Sequence, residues 1–511
     1  MTEYIISYDL GTGGNKASLY NSQGDCLAEK FVFYNTHYPR GGWHEQKPED
    51  WWQAVIKSTK ALLEISGVDP IHIVACGISG HSLGVVPVDR SGNLLRKSVP
   101  IWSDSRPVDQ AKQVFNQIDE LEWYNITGNG FPAPLYSAFK IMWYRDHEPE
   151  MFEKIYKVFG TKDYINFKLT GEIITDYSYA SGSGVYDLIN WNYSDKLIQA
   201  TGLPAEIFPS ICPSTEVLGT LSDDAAQALG LPKHIKVVAG GVDNSCMALG
   251  ARSYKEGRMY NSQGSSSWIA VASSKPLLDD RVRPFVFTHV VPGFFASAIP
   301  VFSSGSSFRW VRDHFCQDLI RISENENKDI YELMTALAQD VKPGANGLIF
   351  NPSLAGGSSL DASINIRGAF LGLDLGHTQS DVIRAAMEGI ALEMGRALDE
   401  LRKLWPLADE MVVVGGGSRS SLWRQIHADV YRLNILKTNI DQQAAALGAA
   451  ALAAVGVGIW DDFDKIDEIH VIESVTKPDP ENVAFYQKFF PLSKKISLFL
   501  AELGDDMKEL S

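Results

Sequence analysis

Ile5-Ile6-Ser7-Tyr8-Asp9-Leu10-Gly11-Thr12-Gly13-Gly14-Asn15-Lys16 runs an apolar strand into an aspartate and then into a turn of glycine and hydroxyl residues. Such a turn suits phosphate: glycines let backbone N–H groups approach its oxygens, Thr12 donates a further hydrogen bond, and Lys16 adds a positive charge. Asp9, at the strand end, is placed to hold a cation or its water. An ordinary hairpin turn fits the same residues, because Ala17-Ser18-Leu19-Tyr20 resumes an extended pattern. The spacing matches neither the dinucleotide fingerprint nor the lysine-bearing Walker loop, which counts against a Rossmann enzyme and a P-loop ATPase.

At 511 residues the chain exceeds what one core usually serves, and 45% apolar with 21% charged residues is the balance of a globular protein. Two domains are expected. The formal charge of −16, from 46 basic and 62 acidic residues, argues against nonspecific nucleic-acid binding. Cys26, Cys76, Cys212, Cys246 and Cys316 are widely separated and odd in number, so buried free thiols are expected in place of disulfides or a zinc site. With no apolar run long enough to span a bilayer and no signal-peptide pattern, the expected location is the cytoplasm, away from membranes.

Strands alternate with helices from the start, as in the amphipathic stretch 48–66 followed by the apolar run 71–78, which points to α/β architecture. Residues 110–171 read as helical and rich in aromatics, and 235–241 as a buried strand running into Gly240-Gly241-Val242-Asp243. A second unit is expected to begin near residue 245, giving domains 1–245 and 246–511. Residues 259–272 again read strand, small polar turn, strand, like the opening of the chain, so the two halves look duplicated. A helix over 380–404, a strand over 411–414, the turn Gly415-Gly416-Gly417-Ser418 and an alanine-rich helix over 443–455 follow. The acidic stretch 460–467 and the tail after Gly504 read as solvated faces.

Four polar clusters fall at strand ends or glycine turns: Asp9 with Thr12, Trp102-Ser103-Asp104-Ser105-Arg106, Asp243-Asn244, and residues 415–418. Open α/β sheets bind ligands at strand ends. Phosphoryl transfer to an alcohol needs a phosphate cradle, a cation, a carboxylate facing the acceptor and groups that fix the acceptor, and the clusters offer a candidate for each. Asp243 is the candidate base, with capping of the helix after it as the structural alternative. Trp102 suits the apolar face of a polyol while Asp104 and Arg106 bond its hydroxyls; a core aromatic beside a surface ion pair fits equally.

Taken together, the motifs resemble the FGGY carbohydrate kinases, the group that includes glycerol kinase, xylulokinase, ribulokinase and gluconate kinase on the actin-like ATPase fold. The resemblance covers nearly the whole chain in family order: residues 9–16, Pro100 to Arg106, Lys162-Asp163-Tyr164 with Leu169-Thr170-Gly171-Glu172 and Thr175-Asp176, Gly240 to Asn244, Gly264-Ser265-Ser266, Gly305 with Phe308-Arg309-Trp310, residues 415–423, and Ala444 to Ala450. It implies a kinase dependent on ATP and Mg2+, built of two α/β domains of the ribonuclease H-like (ASKHA) kind closing an interdomain cleft over a small sugar or polyol. Asp9 and Asp243 would lie near the metal. Asp243 would activate the acceptor hydroxyl, with His81, Ser82, Trp102, Asp104, Arg106 and Asn244 around the sugar. Thr12, Gly13, Lys16, Gly264, Ser265 and Gly305 would meet the phosphates, and Gly416, Gly417 and Ser421 would border the nucleoside. A homodimer is a possible assembly.

Xylulokinases of the family carry Gly-Gln-Met-His-Gly where this chain has Gly80-His81-Ser82-Leu83-Gly84, so the histidine has moved. Many relatives carry Gly-Glu-Arg-Thr-Pro where this chain reads Leu354 to Ser359, without those charges. The 102–106 loop and Asn244 after the catalytic aspartate favour a ketopentose such as D-xylulose over glycerol. Ribulose, erythritol, glycerol, gluconate and fuculose remain alternatives. An actin- or Hsp70-like ATPase switch shares the fold but has no use for a polyol loop, and a sugar-binding regulator without catalysis has no use for both Asp9 and Asp243.

Overall fold

The computed structural model describes residues 3–510. By contacts the chain forms two compact units: Met1–Tyr254, Ala272–Ser297 and Gln443–His470 make the first, and Lys255–Val271, Ala298–Gln442 and Val471–Ser511 the second. The single boundary expected after residue 245 falls inside the helix Asp243–Gly250, and two later segments return to the first unit.

The first unit is built on a mixed sheet ordered Val217–Thr220, Lys236–Val238, Ile73–Gly80, Tyr4–Gly11, Gly14–Asn21, Cys26–Phe33, with Gly241–Val242 also running along Ile73–Gly80. The opening motif is a hairpin: Tyr4–Gly11 and Gly14–Asn21 pair antiparallel, with Thr12 and Gly13 as the two-residue loop. Tyr4–Gly11 pairs parallel with Ile73–Gly80 on its other side. A central strand flanked by covered faces must be apolar throughout, and Ile5, Ile6, Tyr8 and Leu10 are accordingly buried.

The buried run expected over 235–241 is broken into Lys236–Val238 and Gly241–Val242. The break is at Gly240, which has φ of 70°. A Cβ there would lie 2.0 Å from the Ile78 carbonyl oxygen, so only glycine turns the chain this close to its neighbour.

The second unit repeats the design. Met259–Gln263 and Ser267–Ser273 form an antiparallel hairpin, and Met259–Gln263 pairs parallel with Glu410–Val414, which continues through Asn434–Thr438 to Ile472–Thr476. Hairpin plus parallel strand thus occurs twice, as the sequence suggested. The long helix Gln379–Leu404 starts at a capping box formed by Thr378 and Asp381.

Some expectations change. Cys26 is exposed, whereas the other four thiols are free and buried. Trp460 is buried, its indole N–H donating to the Ser22 carbonyl at 2.8 Å, and Ile466 is buried too, so 460–467 is not a uniformly solvated face. Among the described residues no helix is long and apolar enough to cross a membrane.

The alanine-rich helix Ala444–Gly456 packs on the helix Asp243–Gly250 and on the strands Tyr4–Gly11 and Ile73–Gly80. Gly448 makes this approach close: a Cβ there would lie 2.0 Å from the Cys246 carbonyl oxygen. Alanine for glycine within a helix gains about 1 kcal/mol in propensity, while overpacking against fixed backbone costs about 1–3 kcal/mol. Gly448→Ala should therefore lower the midpoint of denaturant unfolding, and a raised midpoint would refute the close helix contact.

Candidate functional site

Strand register assembles the first cluster. Ser79 on the strand Ile73–Gly80 is paired with Asp9 on one side and Gly241 on the other, both in parallel strands. Asp9 therefore lies two residues before the end of one neighbour, and Asp243 lies two residues beyond Gly241 on the other. Neighbouring strands run about 4.8 Å apart, so the two carboxylates share one end of the sheet. Ser79 donates to Asp9 Oδ1 at 2.9 Å. Burial raises the proton affinity of Asp9, against which this hydrogen bond and the Lys16 charge act; Lys16 is its cross-strand partner.

Asp243 opens the helix Asp243–Gly250, where its Oδ1 accepts from the Asn244 N–H at 2.8 Å. Burial, and secondarily the Asp9 charge, push its pKa up to about 7. It stays half-buried, with the raised proton affinity that suits a base at neutral pH. Its backbone is braced from beneath. The Val242 N–H donates to Ser178 Oγ at 2.9 Å, and Ser178 Oγ and Ser214 Oγ donate to Asp176 Oδ2 at 2.5 and 2.7 Å. Lys162 Nζ bonds Asp163 Oδ1 at 2.6 Å and Asp176 Oδ1 at 2.9 Å, and all three side chains are fully enclosed.

Thr12 and Gly13, in the hairpin loop, are exposed. The Trp102 indole N–H donates to Thr12 Oγ1 at 2.9 Å, linking the 102–106 loop to the first turn. Trp102 is only partly buried. Asp104 and Arg106 are placed otherwise than as free sugar contacts. Asp104 is 0% exposed, and its oxygens accept from Arg106 Nε at 2.9 Å, Arg106 Nη2 at 2.7 Å and the His44 N–H at 2.7 Å. Arg106 also bonds Glu45 at 2.7 Å and is sandwiched between Trp43 and Trp143, its guanidinium carbon 3.9 and 4.9 Å from their ring centroids. The pair braces the loop from inside, an arrangement that i, i+2 spacing alone does not reveal.

His81 is 1% exposed, within 3.2 Å of Thr161 Oγ1 and edge-on to Trp51. Burial lowers its pKa to about 4, so it is neutral near pH 7. Ser82 beside it is buried as well. Neither presents an exposed side chain.

The second cluster is a cavity of about 700 Å³ within the second unit. Gly264, Ser265, Gly305, Gly416, Gly417 and Ser421 all line it. The glycines keep it open: a Cβ at Gly305 would lie 2.2 Å from the Gly264 carbonyl, and one at Gly417 would lie 2.5 Å from Gln263 Oε1. Sequence reasoning missed Gln263, Arg309, His427 and the wall formed by the helix Ile330–Ala338, which presents Tyr331, Glu332 and Thr335. Arg309 Nη2 donates to Ser265 Oγ at 2.8 Å. Both side-chain polar atoms of Gln263, Asn261 Oδ1 and His427 Nδ1 are buried without a partner in the chain, which fits a cavity built to bond a polar ligand. Its size lies in the range of small-molecule sites.

A duplicated hairpin-plus-parallel-strand core, with carboxylates at the strand ends of one unit and a glycine-lined cavity in the other, defines a two-domain ATPase of the actin-like class. Residues 4–250 match the N-terminal domain of the FGGY family of carbohydrate kinases and residues 259–457 its C-terminal domain. The chain belongs to that family. It is 30% identical over 511 residues to a xylulose kinase of Bacillus subtilis, covering 99% of each chain, and 27% identical to a gluconokinase of the same organism, covering 98% of this chain and 96% of that one. Among solved structures, a xylulose kinase from Rhodospirillum rubrum superposes with a TM-score of 0.89 at 27% identity over 98% of this chain and all of that one. A gluconate kinase from Lactobacillus acidophilus gives 0.89 at 25% identity over the full length of both. The protein is thus a carbohydrate kinase of the ASKHA fold, an enzyme that takes ATP and a small sugar.

The raised proton affinity of Asp243 has a consequence for stability. Between its unfolded value of 3.8 and about 7 the folded state binds the extra proton. Asp243 thus favours folding most below the unfolded value, and this contribution is lost as pH rises through 7. In metal-free protein, Asp243→Asn should melt above wild type at pH 8, with the difference shrinking as pH falls from 7 toward the unfolded value of 3.8; a difference independent of pH would refute the shift.

Proposed function

We propose that this kinase transfers the terminal phosphoryl group of ATP to a hydroxyl of a neutral ketose, with D-xylulose the leading acceptor. The observation that carries the reading is Asp243: a half-buried carboxylate at a strand end, beside Asp9, with a pKa near 7. Asp243 accepts the acceptor's hydroxyl proton. Trp102 lies against the apolar face of the sugar, and Asn244, next to the base, bonds a hydroxyl. Thr12 Oγ1 accepts from Trp102, which leaves its own O–H to donate to a phosphate oxygen. Lys16, Gly13 and the small residues 264, 265 and 305 also serve the phosphates, while residues 416, 417 and 421 border the nucleoside.

Among the described residues no cluster of three or more His, Cys, Asp or Glu is arranged to hold a metal. Mg2+ needs only one or two carboxylates when phosphates and water complete its shell. Asp9 and Asp243 fit that role, since their mutual repulsion marks a place where positive charge is favourable. When bound, the metal offsets the charge of the phosphates.

Xylulose kinases among the relatives support the ketopentose, and the gluconokinases keep a sugar acid as the second reading. The state of Arg106 favours the neutral sugar: Asp104 and Glu45 already answer its charge, so the loop's cation is not free for a carboxylate.

An ADP-release assay across xylulose, ribulose, erythritol, glycerol, gluconate and fuculose tests the acceptor. Highest kcat/KM on xylulose is expected, and gluconate as the best substrate would overturn the neutral-ketose reading. Asp243→Asn should lower kcat by about 10²–10⁴-fold with sugar binding retained, and full activity would remove the base assignment. Trp102→Ala should raise the sugar KM and leave the ATP KM nearly unchanged; equal effects on both would make Trp102 a core residue.

A further inference from the structure

Lys140 belongs to the helix Ser137–His147 and is 0% exposed. Its ammonium meets no carboxylate directly. It donates instead to three main-chain carbonyls: Leu83 at 3.0 Å, Ile101 at 2.7 Å and Trp102 at 3.4 Å. These carbonyls lie on two separate segments, the turn that follows the strand Ile73–Gly80 and the loop that carries Trp102. One three-donor group thus joins both.

The first segment is strained. Leu83 has φ of 60°, a left-handed conformation that costs a branched side chain about 1–2 kcal/mol. Such strain persists only where the surroundings over-determine it, and it gathers at ligand sites. Lys140 holds the carbonyl of that same residue. Enclosing an ammonium among carbonyls is also costly: burial drags its pKa down to about 7, and an apolar side chain of similar volume would fill the space without that desolvation. Stability alone therefore gives a poor account of a lysine here, whereas fixing two loops in one relative position gives a direct one.

We propose that Lys140 is a positioning residue that clamps the Ser82–Leu83 turn to the Ile101–Trp102 loop and so sets the fit of the acceptor sugar. This rests on the sugar-kinase reading of the Trp102 loop. Lys140 touches no substrate and acts through the main chain of residues that frame it. The consequence falls mainly on the sugar: the cavity residues assigned to the nucleoside belong to the second unit, whereas the clamp and both segments lie in the first.

The test uses Lys140→Met, which keeps the length of the side chain and removes the donors, and Lys140→Gln, which keeps one amide donor group. In steady-state assays on the sugar that wild type phosphorylates best, Lys140→Met should raise the sugar KM at least tenfold. The ATP KM should stay within twofold and kcat within about threefold, and Lys140→Gln should fall between Lys140→Met and wild type. An unchanged sugar KM, or equal rises in both KM values, would overturn the clamp. Hydrogen-exchange mass spectrometry supplies a readout independent of activity, and Lys140→Gln carries it if the methionine variant does not fold. Peptides covering 81–85 and 100–106 should exchange at least tenfold faster than in wild type, with the peptides of 259–267 and 415–421 unchanged. Unaltered exchange in the first two would overturn the clamp. Wild type inactive on every sugar would count against the acceptor reading alone, since the exchange measurement still decides the clamp.

Discussion

Like charges at the ends of parallel strands are what the first unit is organised to hold. Asp9 and Gly241 flank Ser79 in register, so sheet pairing alone delivers Asp9 and Asp243 to the same end, where burial, and after it their repulsion, raises the proton affinity of Asp243. Holding that arrangement requires small residues behind it. Gly240 bends the chain against the Ile78 carbonyl, and a Cβ at Gly80 would lie 2.9 Å from Lys162 Cβ. Behind these glycines the Lys162–Asp163–Asp176 group reaches the Val242 N–H through Ser178. The free energy of the buried network is spent on geometry: each polar atom is satisfied, and what it fixes is the direction in which Asp243 leaves the strand.

The second unit uses the same core for a different purpose. Its hairpin ends at Gln263, and its parallel strand ends at Val414 before Gly415-Gly416-Gly417. No carboxylate occupies the hairpin end corresponding to Asp9. The polar atoms there belong to Gln263, whose amide has no partner in the chain, and, nearby, to Asn261 and His427, whose Oδ1 and Nδ1 are likewise buried without one beside a glycine-lined cavity. One topology thus presents carboxylates in one copy and neutral hydrogen-bonding groups in the other, which the proposed division between proton acceptance and nucleotide binding would require.

Legibility in the sequence followed the physical range of each signal. The strand-turn-strand at residues 5–20 and its echo at 259–272 depend on local alternation and on glycine, so the hairpins and the duplication could be read directly. Asp9, Asp243 and the 415–418 turn were legible because turns at strand ends carry their own composition, whereas Gly264, Ser265, Gly305 and Ser421, which also line the cavity, came from the family resemblance. The partnerships were not: that Asp104 closes on Arg106 while Glu45 and two tryptophans complete the enclosure depends on residues some 60 positions apart. The 443–455 stretch was legible as helix but not as part of the first unit, because the contacts that fix its place, such as Gly448 against Cys246, involve backbone atoms that leave little trace beyond an excess of alanine and glycine. Neither Ser79 nor the helix Ile330–Ala338 carries a local motif that sets it apart in the sequence.

The cations around the acceptor side follow a pattern that bears on substrate chemistry. Arg106 is neutralised by Asp104 and Glu45, Lys162 by Asp163 and Asp176, and Lys140 is surrounded by carbonyls. Each is buried and serves as scaffold. A site for an anionic sugar would need at least one cation with unspent charge directed at the ligand, because a desolvated carboxylate is costly unless paired. The charge of these three is engaged in holding main chain and loops, and the half-exposed groups include the Trp102 indole, the Asn244 amide and the Asp243 carboxylate of raised proton affinity. Those groups would suit the apolar face, a hydroxyl and the hydroxyl proton of the neutral acceptor proposed above.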